Sequence, residues 1–161
     1  MDKTTIYALL ITGIGATLVM DFWSLFQRYV LRIAPLNYAL VGRWLLGLPG
    51  GKVCHHTILA APPLRGEVLV GWGFHYLSGI LFATLPLWLH GPDWYQQPSL
   101  TVGLLTGLIT LLAPFLIMQP ALGFGLAASR TPNPWRARMM SVLTHLAYGV
   151  GLYLAAVISG R

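Results

Sequence analysis

Apolar residues fall in four long runs, Ile6 to Gln27, Glu67 to Leu89, Thr101 to Leu126 and Met139 to Ser159. Each is close to the ~20 residues that an α-helix needs to cross a bilayer. The pattern predicts an all-α polytopic membrane protein with four transmembrane helices, organised as a single integral domain over residues 1–161. The first run has neither a basic leader nor a small-residue cleavage site, so it reads as a retained helix rather than a signal peptide. Between the first two runs, Pro35, Pro49, Pro62 and Pro63 interrupt the chain. There, Leu36 to Leu48 is apolar but too short to span and carries Arg43, which predicts a short interfacial or re-entrant helix in the first loop.

Lipid gives helices no hydrophobic drive to associate, so the faces that meet neighbours should be marked by small residues. Rows at four-residue spacing are present in every run: Gly13, Thr17 and Asp21; Gly71, His75, Gly79 and Ala83; Gly103 and Gly107, with Gln119 and Gly123 further along; Ser141, His145 and Gly149; and Ala147, Gly151 and Ala155. Such rows are the usual glue of helix bundles. The strongly polar members, Asp21, His75, Gln119 and His145, are harder to dismiss. They lie six, eight, seven and six residues from the same predicted end of their runs, roughly 9 to 12 Å deep at ~1.5 Å per residue. The expectation is one intramembrane Asp/His/Gln layer.

Hydrophobic residues make up 56% of the 161 and charged residues only 9%, too few to cover a soluble surface. The formal charge of +6 then reads as a basic membrane face, not as a nucleic-acid footprint. Arg28, Arg32, Arg43, Lys52 and Arg65 around the first loop, and Arg130, Arg136 and Arg138 in the third, contrast with the second loop, Gly91 to Ser99, which has Asp93 and no Lys or Arg. Loops one and three are therefore expected in the cytoplasm and both termini on the outer side. Trp23, Trp72, Trp88, Trp94 and Trp135 fall near run ends or in loops, as an aromatic belt requires. Cys54, the single cysteine, excludes an internal disulfide.

An aspartate in hydrocarbon is normally paired, protonated or hydrated, and His75 and His145 are its obvious partners. One reading is a hydrogen-bonded network that only fixes helix register, as a structural or assembly subunit would need. The other is a site, in one of three forms: a divalent metal on Asp21, His75 and His145 with Gln119 behind them; a haem between His75 and His145; or binding and passage of a polar solute or protons. Pro114 and Pro120 favour the third, since they remove two backbone hydrogen bonds from the third run, and broken helices accompany transport sites. Cys54, His55 and His56 are a weaker metal candidate, set against an exposed polar loop. His90 reads as a solvated cap, and Arg130, Arg136 and Arg138 as contacts to anionic lipid headgroups beside Trp135.

Enzyme signatures are missing: no Gly-x-Ser-x-Gly elbow, phosphate-binding glycine loop or His-Glu-x-x-His occurs. A membrane redox or hydrolytic enzyme using Asp21 and His75 as an acid–base pair is the alternative to non-enzymatic binding or transport of a small polar ligand, proton or metal ion. A homo-oligomer is expected with transport, because four helices rarely enclose a pathway alone. Finally, Met20 to Arg28 (MDFWSLFQR), Gly42 to Gly50 (GRWLLGLPG), Phe74 to Tyr76 (FHY), Ala113 to Pro120 (APFLIMQP) and Ala128 to Trp135 (ASRTPNPW) resemble the small membrane proteins grouped as domain of unknown function 2938. The resemblance covers most of the chain. It implies a multi-pass protein of the bacterial inner membrane, with periplasmic termini under the charge rule, and supplies no catalytic residue.

Overall fold

The computed structural model describes residues 3–160. Its long helices are α1 (Lys3–Tyr29), α3 (Glu67–Phe82) continued by α4 (Leu85–His90), α5 (Leu100–Thr110) continued through a π-helical turn (Pro114–Met118) into α6 (Gln119–Ala121), and α7 (Pro134–Ser159). Together they make four helices long and apolar enough to cross a membrane, and no strand occurs among the described residues. Large apolar side chains lie on the outside of these helices, with Leu69 at 79% and Trp88 at 85% exposure. A chain that leaves such residues uncovered on every long helix is built for a lipid solvent. The short helix expected in the first loop is α2 (Tyr38–Gly47), started by Asn37, whose side chain accepts from the Ala39 N–H at 3.0 Å.

The described residues divide into two compact units. The first comprises the chain up to Pro35, Tyr76–Thr110, and from Val142 onward. Its core is built from Ala16, Met20, Ala83, Trp94, Tyr95, Tyr148, Leu152 and Ala156. Small residues bring backbones together here as the rows predict. A Cβ on Gly13 would meet the Ile80 Cα, one on Gly151 the Ala16 Cα, and one on Gly103 the Gly149 carbonyl. Trp94 departs from the expected belt: it is fully buried, because the turn Pro92–Tyr95 folds inward instead of lying against lipid.

The second apolar run is not one unbroken helix, and Pro86 explains why. Without an N–H it cannot continue the ladder, and the Leu87 N–H bonds to Thr84 rather than to Ala83. The Ala83 carbonyl so released accepts from the Tyr95 hydroxyl at 2.7 Å, and burial pushes this phenol's pKa up, keeping it a donor. Tyr95→Phe should strand a buried carbonyl and cost about 1 to 3 kcal/mol, read as a lower unfolding midpoint in detergent with helicity unchanged.

The second unit comprises Leu36–His75 and Leu111–Ser141. Leu40, Val41, Trp44, Ile58, Ala121 and Leu122 form its core. Helix α2 packs backbone to backbone on the start of α3, since a Cβ on Gly42 would fall on the Glu67 carbonyl and one on Gly71 on the Tyr38 carbonyl. Arg43 completes the joint: Nε and Nη2 donate to the two Glu67 oxygens at 2.8 and 2.9 Å, and Nη1 to the Ala61 carbonyl at 2.7 Å. The Glu67 carboxylate also accepts from the Leu64 N–H at 2.8 Å, capping the start of α3. Two backbone bonds, His55 N–H to Ala121 and Ile58 N–H to Leu122, tie the first loop to the end of α6. The first loop and the chain leaving the third span therefore lie at one end, as alternate crossings require.

Candidate functional site

Two of the four intramembrane polar side chains belong to the first unit. Asp21 accepts from the Tyr76 hydroxyl at Oδ2, 2.9 Å away. His145 lies with Nδ1 2.7 Å from Thr110 Oγ1, and that hydroxyl donates its proton to the Gly107 carbonyl at 2.6 Å. A further polar joint in the same unit is Gln27, 2% exposed, whose Nε2 donates to Thr144 Oγ1 at 2.8 Å.

The other two belong to the second unit. His75 is 7% exposed; its ring stacks on Tyr38 with centroids 4.1 Å apart, and Trp72 meets it edge-on at 5.7 Å. Gln119 follows the π-helical turn directly, its N–H reaching back five residues to the Pro114 carbonyl. Its side-chain Oε1 is buried and has no hydrogen-bond partner. The widened turn is the answer of the backbone to Pro114 and Pro120: both lack an N–H, and a π turn re-spaces the remaining donors.

Metal candidates fare differently. Among the described residues no group of three His, Cys, Asp or Glu side chains is placed to hold a metal ion. In the loop, Cys54 and His56 are exposed and the His55 N–H is spent on the Ala121 carbonyl. The basic residues of the third loop also part company. Arg138 donates from Nε to the Ala127 carbonyl at 2.7 Å. The Arg136 side chain is exposed, while its backbone N–H is capped by Asn133 Oδ1 at 3.1 Å. Arg130 lines a cleft.

The family model described as protein of unknown function (DUF2938) matches residues 10–159. The chain belongs to this family. No curated protein and no solved structure matches it. What the family and the four helices establish is a membrane protein of a class without an assigned activity, and the site must be read from its own residues. Tyr76 and Gln27 were not singled out by sequence pattern, for a geometric reason. Tyr76 follows His75 and so points ~100° away from the row that contains it. Gln27 lies one heptad beyond the buried Met20, and that spacing is the signal that would have found it.

Proposed function

We propose that this protein binds a small polar ligand or ion through polar side chains within its spans, among which Asp21, His75, Gln119 and His145 are the candidates. Passage of that species across the membrane, by a homo-oligomer, is the fuller form of the reading. The observation that carries it is the buried, unpartnered Oε1 of Gln119 beside the π-helical turn. A buried acceptor left unsatisfied costs about 1 to 3 kcal/mol, and such groups persist where something else is to complete them. Turns of this kind recur at functional sites. An acceptor calls for a donor or a cation, so the expected ligand class is an ammonium, a hydroxyl-bearing solute or a monovalent cation.

The test compares wild type with Gln119→Met, which keeps the length and removes the polar atoms. In detergent without added ligand, Gln119→Met should be as stable as wild type or more so. Sodium, potassium and ammonium chlorides are then titrated in a melting assay, with choline chloride balancing ionic strength. At least one cation should raise the wild-type midpoint and leave that of Gln119→Met unmoved. A lower midpoint for Gln119→Met without ligand, together with no cation response in wild type, would assign these side chains to packing alone.

A further inference from the structure

The first and third loops enclose a cleft of about 490 Å³ within the second unit, lined among others by His56, Thr57, Phe124, Arg130 and Thr131. Its frame is held by backbone. Gly123, at φ +90°, has room for no Cβ, which would meet the His56 carbonyl. The Arg130 N–H bonds to the Phe124 carbonyl at 2.8 Å. Three of the lining side chains, Thr57, Arg130 and His56, bring donors to the space. Thr57 Oγ1 accepts from the Leu59 N–H at 3.4 Å and so keeps its own proton to give. Thr131 spends its proton on the Ala128 carbonyl, whereas the Arg130 guanidinium and the His56 ring bond to nothing among the described residues. Within this unit no counter-ion stands by, because Glu67, its single acidic residue, is committed to Arg43 at 2.8 Å.

We infer that this cleft is a binding site for a phosphate group carried on a small organic body, a phosphomonoester. Arginine supplies a planar fork for two phosphate oxygens, with His56 and Thr57 as further donors to the same tetrahedral anion. Leu59, Phe124 and Pro132 give an apolar wall that inorganic phosphate would leave uncovered and an ester's carbon skeleton would fill. None of the polar side chains of the spans lines this cleft, so it does not depend on the reading above. Phosphomonoesters reach such a place from two sources, as a soluble metabolite or as the headgroup of phosphatidic acid.

Both sources are tested on the full chain. Equilibrium binding of radiolabelled sn-glycerol 3-phosphate to protein in a non-ionic detergent covers the first. Retention of phosphatidic acid against phosphatidylcholine in nanodiscs, read by native mass spectrometry, covers the second. In at least one arm Arg130→Gln should weaken binding about tenfold, the loss of one charge-assisted pair, and His56→Ala should weaken it several-fold. Lys52→Gln removes an equal charge from the exposed first loop outside the cleft and should leave binding intact. Binding in the first arm assigns a soluble ester, and binding in the second alone assigns a lipid. Absence of binding in both, or equal losses for Arg130→Gln and Lys52→Gln, overturns the site.

Discussion

Arg43→Met is expected to be among the most damaging single substitutions in this chain, lowering the unfolding midpoint in detergent by about 5 to 10 °C. Methionine matches the aliphatic stem and cannot donate. Four hydrogen bonds are lost, two to Glu67 and one each to the carbonyls of Ala61 and Ile58. The Glu67 side chain is 12% exposed, so its carboxylate is left largely buried without a cation. Unpairing a buried charge is worse than removing the pair. Arg43→Met combined with Glu67→Leu should therefore recover part of the loss, and Glu67→Gln, which still accepts from Arg43, should cost less than Arg43→Met. Midpoints of the three variants and the wild type, followed by far-ultraviolet circular dichroism, decide it. A double variant no better than Arg43→Met would mean that the pair does not act as a unit.

Gly149→Ala should lose at least about 2 kcal/mol by overpacking, measured by reversible unfolding in mixed detergent and SDS. Its added Cβ would lie 3.0 Å from the Leu104 Cα and nearer still to the Gly103 carbonyl oxygen. These are backbone atoms of α5, so relief requires the whole helix to move. Gly73→Ala offers the opposite sign on the same chemistry. Nothing lies within 4 Å of a Cβ there, and replacing a glycine inside a helix should stabilise by about 0.5 to 1 kcal/mol. If both substitutions changed stability alike, close approach of α5 and α7 would not be what Gly149 provides.

What the sequence determined by itself is local and periodic. Four runs of about 20 apolar residues are long enough to cross a bilayer wherever they occur, and each run corresponds to a long helix or a broken pair. The shortness of Leu36 to Leu48 excluded a fifth span, and α2 is ten residues long. Pro114 announced the break in the third run, since a missing N–H acts on its own helix; the break at Pro86 in the second run was not read from the pattern. The small-residue rows showed which faces pack: a Cβ added at Gly13, Gly79, Gly103 or Gly149 would run into the neighbouring helix.

Only the tertiary structure decided which atom each of those faces would meet. Asp21 pairs with Tyr76, 55 residues away, and Arg43 with Glu67, 24 residues away; neither choice is marked in the local pattern, since several cations or hydroxyls would satisfy the same carboxylate. Trp94 was legible as a loop tryptophan and turned out to be core, because burial depends on how the Pro92–Tyr95 turn folds and not on its distance from a span end. His56 and Arg130 come from loops 74 positions apart in the sequence and line one cleft. Periodicity is a property of neighbours three or four residues apart, whereas a site is made by contacts between distant segments, and those exist only once the backbone has closed on itself.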